Sequence, residues 1–246
     1  MSDEMRCERI RYVGADGDEV EAYTARPLGG GSRGGVVVLH HMPGWDRATK
    51  EITRRFAELG YDAVLPNLHY RDAPGADPDD AAAASRANGG VPDDRFLGDT
   101  AGALEWLRLL DTSNGKVGSI GYCSGGRQSL LAATALPLDA AVDCYGGNVV
   151  RPAPSDFPIR IAPIDDRVPD LRCPLLGLFG EEDHNPSPED VARLEELLQA
   201  AGKDYEFHTY EGAGHGFFAS NRPAYRVAAA NEGWERIAAF YARTLG

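Results

Sequence analysis

Apolar residues along this chain follow two different spacings. Continuous runs of β-branched and other apolar residues, such as residues 36–40, are typical of strands buried on both faces of a sheet. Other stretches, such as residues 188–201, carry apolar side chains three and four positions apart, the spacing of one helical face. Strands that alternate with helices in this way predict an α/β protein with a mostly parallel central sheet and helices on both of its faces.

The predicted elements run from residue 8 to residue 244. The strands lie at residues 8–13, 19–24, 36–40, 62–66, 116–120, 140–145, 174–180 and 205–210. The helices lie at about 49–59 and 97–110, directly after Cys123, at 188–201 and at about 225–244. The first two strands flank a Gly/Asp cluster, which predicts an N-terminal antiparallel hairpin. We interpret the glycine-rich residues 29–35 as a flexible linker, because phosphate-binding glycines follow a strand and these precede one.

Two long segments interrupt the alternation. Residues 72–94 contain three prolines and a run of four alanines, and residues 146–172 contain five prolines. Irregular segments of this length in a compact domain are usually functional or mobile. We therefore expect both to be cap-like insertions over the mouth of a site. A chain of 246 residues fits a single domain spanning residues 1–246.

Composition and charge exclude several classes of protein. The chain is 43% hydrophobic and 26% charged, as in ordinary globular proteins. No apolar run approaches the roughly 20 residues of a membrane span, and residues 1–6 lack the apolar region of a signal peptide, so we expect a soluble, cytoplasmic protein with no membrane partner. A net charge of −13 argues against binding to nucleic acid. The four cysteines are dispersed singly, which predicts no metal site.

The sequence Gly-Tyr-Cys-Ser-Gly-Gly at residues 121–126 is a G-x-C-x-G form of the nucleophile elbow. It follows the predicted strand 116–120, as the strand-turn-helix context of an elbow requires. Small residues on both sides would let Cys123 adopt strained dihedral angles and project its sulfur above the sheet. The same spacing also occurs in turns without chemistry, so the assignment depends on partners elsewhere in the chain.

Those partners occur downstream in the expected order. In α/β-hydrolases the acid and then the histidine follow the nucleophile, each on a loop after a strand. Asp183 follows the strand 174–180, and His215 lies among glycines after the strand 205–210. We therefore predict that Cys123 is the nucleophile, that His215 accepts its proton and later activates water, and that Asp183 orients the imidazole. The predicted oxyanion hole consists of the backbone N–H groups of Ser124 and Met42.

The three motifs resemble those of the dienelactone hydrolase family. They are Gly-Tyr-Cys-Ser-Gly-Gly around Cys123, Glu-Asp-His around Asp183 and Ala-Gly-His-Gly-Phe around His215, and the resemblance spans nearly the whole chain. It implies an α/β-hydrolase fold, no cofactor or metal, and hydrolysis of a small lactone or ester such as a carboxymethylenebutenolide through an acyl-cysteine intermediate. Two alternatives remain: a thioesterase or acyltransferase on the same triad, and a catalytically silent ligand-binding protein. The sequence leaves the oligomeric state open between monomer and homodimer.

The chain departs from the family at positions that bear on the substrate. Where well-known members carry a glutamate that takes part in thiol activation, this chain has His41, which either shares the thiol proton, contacts substrate or is structural. Family members also hold a substrate carboxylate with arginines. The resemblance suggests Arg86 or Arg95 before the elbow and, slightly displaced, Arg222 after the histidine. Each is also compatible with a solvated surface charge.

Three aromatic residues are candidates for an apolar substrate pocket. They are Trp45, Tyr122 and Tyr145, which could line a pocket for an apolar acyl or aromatic group. Packing in the core is the alternative role for each of them.

Overall fold

The computed structural model describes residues 4–246. Met1, Ser2 and Asp3, on which part of the signal-peptide argument rests, lie outside the described residues. The strands are β1 (Met5–Val13), β2 (Glu19–Pro27), β3 (Arg33–Leu39), β4 (Asp62–Pro66), β5 (Ser113–Tyr122), β6 (Ala140–Cys144), β7 (Leu175–Gly180) and β8 (Tyr205–Tyr210). The α-helices are α1 (Arg47–Glu58), α2 (Pro78–Ala87), α3 (Asp93–Arg108), α4 (Ser124–Ala135), α5 (Pro188–Ala200) and α6 (Val227–Thr244).

The eight strands have the order β1-β2-β4-β3-β5-β6-β7-β8. Strands β1 and β2 form an antiparallel hairpin whose register runs from Met5 opposite Pro27 to Val13 opposite Glu19. Strand β2 is antiparallel to β4, whereas β3 and β4 are parallel, as are β6 with β7 and β7 with β8. The predicted α/β fold with a mostly parallel sheet and an N-terminal antiparallel hairpin is confirmed.

The described residues group into two compact units. The first contains the chain through Gly118 together with residues 157–160 and 245–246, and the second contains residues 119–156 and 161–244. Strand β5 begins in the first unit and ends in the second. A single domain spanning residues 1–246 stays a prediction.

The glycine-rich segment of the first unit is less flexible than the sequence suggested. Strand β3 begins at Arg33, so Gly34 and Gly35 belong to a buried strand and not to a linker. A Cβ on Gly34 would lie 2.8 Å from the carbonyl oxygen of Leu245, and one on Gly35 would lie 3.1 Å from the Leu107 side chain. These two glycines therefore permit close packing, and the linker prediction was wrong for this end of the segment.

The two segments predicted to be irregular differ from each other. Residues 72–94 contain helix α2, which begins with Pro78 in its first turn and carries Asp79 and Asp80 there. Proline and acidic residues suit the first turn of a helix, so a local signal for α2 was present beside the alanines. Residues 146–172 are irregular up to a short 3₁₀ helix at Asp165–Asp170. The Arg127 guanidinium donates to the Ala162 carbonyl at 2.8 Å and anchors this segment to α4.

Helix α5 begins at a complete capping box. The Ser187 hydroxyl accepts from the Asp190 N–H at 3.3 Å, and the Asp190 carboxylate accepts from the Ser187 N–H at 3.0 Å. This arrangement satisfies N–H groups that a helix N-terminus leaves unpaired, and it fixes where the preceding loop ends. No helix within residues 4–246 combines the length and the apolar character that crossing a membrane requires.

Candidate active site

Cys123 occupies the strained turn between β5 and α4. Its backbone has φ 58° and ψ −121°, a region that non-glycine residues rarely adopt. Its N–H donates to the Cys144 carbonyl at 3.0 Å. A Cβ on Gly121 would lie 1.7 Å from the Gly125 carbonyl oxygen, so only glycine permits the chain to turn this tightly. The turn brings Cys123 to the N-terminal end of a 12-residue helix, where the helix dipole favours a negatively charged sulfur.

A buried carboxyl group lies against the first turn of α4. A Cβ on Gly126 would lie 2.3 Å from Oδ1 of Asp143, and that oxygen accepts the Gly146 N–H at 2.7 Å. The second oxygen, Oδ2, is buried without a hydrogen-bond partner. Burial raises the pKa of Asp143 to about 7, although the Gly146 N–H lowers it. Asp143 was not among the residues predicted to form the site, and its only signal in the sequence is that it is a lone aspartate inside the apolar strand β6.

His215 and Asp183 form a hydrogen-bonded pair within the second unit. His215 Nδ1 lies 2.9 Å from Oδ2 of Asp183, whose side chain is 1% exposed, whereas that of His215 is 39% exposed. Each residue follows a strand, Asp183 after β7 and His215 after β8. The two loops come into contact at Gly180, where a Cβ would lie 2.4 Å from the Ala213 carbonyl oxygen. The buried carboxylate thus holds one side of a ring whose other side is accessible.

The pKa of His215 is raised to about 10. Burial alone would lower the pKa, but hydrogen bonds to Asp183 and to Cys123, together with the negative charges of these two groups, outweigh burial. The imidazole is therefore cationic at neutral pH when its partners are ionised. A cationic imidazole hydrogen-bonded to a cysteine sulfur is the arrangement that stabilises a thiolate.

An aromatic cluster surrounds this side of the site. The ring centroid of Tyr145 lies 5.1 Å from that of His215 and 5.2 Å from that of Phe217, both in edge-to-face geometry. Tyr122 packs against Phe218 at 5.6 Å and lies 6.3 Å from Tyr145. Tyr122 and Tyr145 are both buried, so they belong to the core and at the same time bring an apolar wall next to the imidazole.

The remaining predicted residues before the elbow lie in the first unit. His41, Met42 and Trp45 lie between β3 and α1. His41 Nε2 lies 3.3 Å from Oδ2 of Asp46, the residue that caps α1 by accepting the Thr49 N–H at 2.8 Å. Although burial raises the pKa of Asp46, nearby His41 and the hydrogen bonds of Thr49 hold it well below its usual range. Among the described residues, Nε2 of His41 is buried without a hydrogen-bond partner, so the ionised carboxylate lies near this ring without fixing its orientation.

Trp45 and His40 make structural contacts in the first unit. The Trp45 indole N–H donates to the Leu65 carbonyl at 3.0 Å, and the ammonium of Lys50 lies 3.9 Å from the centre of its buried ring. His40 Nε2 accepts the Leu68 N–H at 3.2 Å. Burial, with a further contribution from neighbouring His69, lowers the pKa of His40 to about 3, so this ring is neutral.

The candidate arginines differ in their surroundings. Arg95 already has a carboxylate partner, since its Nη2 lies 3.0 Å from Oδ2 of Asp72. Arg86 is half-buried on α2. Burial lowers the pKa of His69 to about 4, and the positive charge of nearby Arg86 contributes to this lowering. Arg222 is exposed in the second unit, seven positions after His215. Among residues 4–246, no group of three or more His, Cys, Asp or Glu side chains is arranged to hold a metal ion.

A mostly parallel sheet with a strained cysteine turn between a strand and a helix, followed by an Asp-His pair, defines the α/β-hydrolase class. Within that class, the sequence profile of the "Dienelactone hydrolase family" matches residues 20–245. The chain belongs to this family. It is an enzyme that hydrolyses a carboxylic ester or lactone.

Individual relatives and solved structures agree with this assignment. The chain is 33% identical to a "Putative carboxymethylenebutenolidase" of Salmonella typhimurium over 96% of its own length and 87% of the relative's. It is 29% identical to a "Probable 2-oxo-3-(5-oxofuran-2-ylidene)propanoate lactonase" of Bradyrhizobium, over 90% and 88% of the two chains. The crystal structure of a "Putative Dienelactone Hydrolase" from Klebsiella pneumoniae superposes with a TM-score of 0.85 at 28% identity, covering 97% of this chain and 99% of the other.

Proposed function

We propose that this enzyme hydrolyses a small lactone or ester of the dienelactone (carboxymethylenebutenolide) type through an acyl-cysteine intermediate on Cys123. The observation that carries the proposal is the hydrogen-bonded series from Cys123 through His215 to Asp183, with the cysteine held at positive φ in the elbow. The raised pKa of His215 supports a cationic imidazole beside Cys123, which is an environment that activates a cysteine as a nucleophile.

The first half of the reaction would acylate the cysteine. The thiolate of Cys123 attacks the carbonyl carbon, a C–S bond forms, and the carbonyl oxygen becomes an oxyanion. The Ser124 N–H, in the first residue of α4, is well situated to donate to that oxyanion because it directly follows the nucleophile. When the tetrahedral species collapses, the C–O bond breaks and His215 donates its proton to the leaving oxygen. For a lactone, this step opens the ring.

The second half would restore the enzyme. His215, now neutral, takes a proton from water while the resulting hydroxide attacks the thioester carbonyl, and the C–S bond breaks to release the carboxylic acid. The thiolate and the imidazolium are then re-formed together. The role of Asp183 is to fix the tautomer of His215 and to stabilise the cationic ring.

Several further residues are proposed from the sequence alone. Met42 would supply the second oxyanion donor, and His41, which lies beside Asp46, would contact the thiol or the substrate. Arg86 and Arg222 remain the candidates for holding a substrate carboxylate, whereas Arg95 is less available because it is paired with Asp72. Trp45 is a weaker candidate than Tyr145, because its N–H is already bonded to Leu65 and its ring is buried. The working environment we propose is the cytoplasm.

The substrate class is tested by comparing three kinds of acyl compound with the purified protein. We expect kcat/KM to be highest for a dienelactone, lower for p-nitrophenyl esters and lowest for acyl thioesters. Similar slow turnover of all three would contradict the lactonase assignment. A clear preference for the thioester would instead favour a thioesterase on the same triad.

A further inference from the structure

The two oxygens of Asp183 have different partners. Oδ2 faces Nδ1 of His215 at 2.9 Å, whereas Oδ1 accepts the backbone N–H of Asn185 at 2.9 Å. Because the carboxylate is fixed at both oxygens, its plane is set by the position of Asn185 in the acid loop, residues 181–187. The orientation of the imidazole therefore depends on what holds Asn185 in place.

The side chain of Asn185 is held by a second asparagine. Its Oδ1 accepts the backbone N–H of Asn148 at 3.1 Å, and its Nδ2 donates to Oδ1 of Asn148 at 3.0 Å. Asn148 is 8% exposed and has φ 58°, a conformation that asparagine tolerates better than most residues and that lets its N–H and its side chain face the same partner. We call these two residues the amide pair.

Close packing and further hydrogen bonds restrict the movement of the amide pair. A Cβ on Gly147 would lie 2.7 Å from Nδ2 of Asn185, so the backbone at Gly147 packs directly on the amide. Nδ2 of Asn148 donates to the Arg151 carbonyl at 3.3 Å, and the Arg151 guanidinium donates to the His184 carbonyl at 3.3 Å and to Asp190 at 2.7 Å. Residues 147–151 are thus linked to the acid loop at several points.

The same turn also carries an aromatic residue of the site. Tyr145, at φ 45°, begins the turn, and its ring packs 5.1 Å from the imidazole of His215. A shift of residues 145–151 would move both the group that holds Asp183 and the ring that packs on His215. Residues 145–151 therefore affect the imidazole of His215 in two ways, through Asp183 and through the ring of Tyr145.

We propose that the amide pair of Asn148 and Asn185 is a positioning device that fixes the Asp183 carboxylate and, through it, His215. This inference rests on the proposed function, since it assigns the pair a role in the Cys123, His215 and Asp183 mechanism. Neither asparagine touches the reacting atoms. The pair acts by holding the acid in the orientation in which it can accept the Nδ1 proton, because small displacements of a catalytic group carry large costs in rate.

The first test replaces Asn148 by glycine. Asn148→Gly keeps the backbone N–H and readily accepts a positive φ, so it removes only the side-chain half of the pair. We expect kcat to fall about tenfold with KM within about twofold of wild type. The pKa of His215, followed by NMR of its ring nitrogens, should fall by about one pH unit, because a loosened carboxylate stabilises the imidazolium less. An unchanged kcat and an unchanged His215 titration would overturn the proposal.

Two variants control for the backbone and for folding. Asp16→Gly makes the same kind of change at an exposed residue of the β1–β2 turn with φ 57°, and it should leave kcat unchanged. Asn148→Asp keeps an oxygen that can accept from Asn185 but loses the Nδ2 donor to the Arg151 carbonyl, so it should recover part of the activity lost in Asn148→Gly. If Asn148→Asp were as slow as Asn148→Gly, the hydrogen bond to Asn185 would not be the relevant interaction.

A double-mutant cycle separates this proposal from the mechanism on which it rests. Because Asn148→Gly and Asn185→Ala remove the same interaction, the double variant should be about as slow as the slower single variant. Additive losses would contradict the existence of a functional pair. Failure of the triad itself would be recognised separately, since Cys123→Ala would then retain turnover whatever the asparagine variants do.

Discussion

Cys123 is held in a backbone conformation that costs free energy and that only its surroundings maintain. Residues of this kind cluster at active sites, because the strain exposes a reactive atom that a relaxed turn would bury. Its position between the end of a strand and the start of a helix also places it where N–H groups and the helix dipole favour negative charge. The backbone at Cys123 thus suits the nucleophilic role proposed for this residue.

Replacing Cys123 by alanine removes one half-buried sulfur atom and leaves the backbone unchanged. We expect turnover to fall by about 10⁴-fold or more, because the covalent route is lost. The free energy of unfolding should change little, since no core side chain is removed. Steady-state kinetics and urea unfolding on the same preparation make the comparison, and retention of activity in a folded variant would overturn the mechanism.

Asp143 makes the stability of the fold depend on pH. Its pKa in the folded state is about 7, above the ordinary value of 3.8, so the folded state binds this proton more tightly than the unfolded state does. The protonated carboxyl stabilises the folded state fully below about pH 4, and this stabilisation is lost as the pH rises through 7. The difference in pKa between the two states corresponds to about 4 kcal/mol in the free energy of unfolding. An asparagine amide at this position does not titrate, so its contribution to stability does not change with pH. Asp143→Asn should therefore gain stability relative to wild type between pH 4.5 and pH 8 in urea unfolding.

A second buried carboxylate provides the control for that measurement. Asp99 is buried and paired with the Arg71 guanidinium at 2.6 and 2.9 Å. Asp99→Asn removes the buried carboxylate partner of Arg71 and leaves only the more exposed Asp18, so it should cost about 3 kcal/mol at both pH values. A difference between Asp143→Asn and wild type that stays constant with pH would contradict the titration assigned to Asp143.

The elbow is the element on which the site depends most. Gly121→Ala would place a Cβ against the Gly125 carbonyl oxygen, and backbone cannot yield as a flexible side chain can. We expect a large loss of kcat together with a lower melting temperature. Gly29→Ala, at a glycine with no atoms near its ideal Cβ position, is the matched control and should be neutral. A fully active Gly121→Ala variant would contradict the turn geometry described for Cys123.

Most elements could be predicted because their burial leaves a simple pattern. Strands β4 and β8 begin and end where the apolar and alternating runs do, and the predicted bounds of α5 differ by one residue. Helix α2 was missed because its alanines and aspartates give no clear apolar face, although Pro78 marked its start. Gly34 and Gly35 were read as a linker because a sequence does not reveal the backbone atoms that pack against a glycine.

The residues of the candidate site also fall into two groups, those that could be predicted from the sequence and those that could not. Cys123, Asp183 and His215 were detectable because each follows a predicted strand in a fixed order. The residues that support them were not detectable, since Asp143, Asn148 and Asn185 act through hydrogen bonds between loops distant in sequence. Asparagine in a loop is ordinarily a turn residue, and only its partner distinguishes a positioning role.

At the scale of the molecule, the second unit contains Cys123, His215 and Asp183, the residues proposed as nucleophile, base and acid, in one network. Family membership establishes that the enzyme hydrolyses a carboxylic ester or lactone. Beyond that, we propose covalent catalysis by the sulfur of Cys123.

Rapid-quench mass spectrometry tests this claim most directly. The protein is mixed with a dienelactone or a p-nitrophenyl ester, quenched in acid within milliseconds, digested, and the peptide containing Cys123 is weighed. The mechanism predicts a transient mass increase equal to the acyl group on that peptide, appearing with the first turnover and absent in Cys123→Ala. Full turnover with no acyl adduct at any time, or with the adduct on another residue, would contradict it.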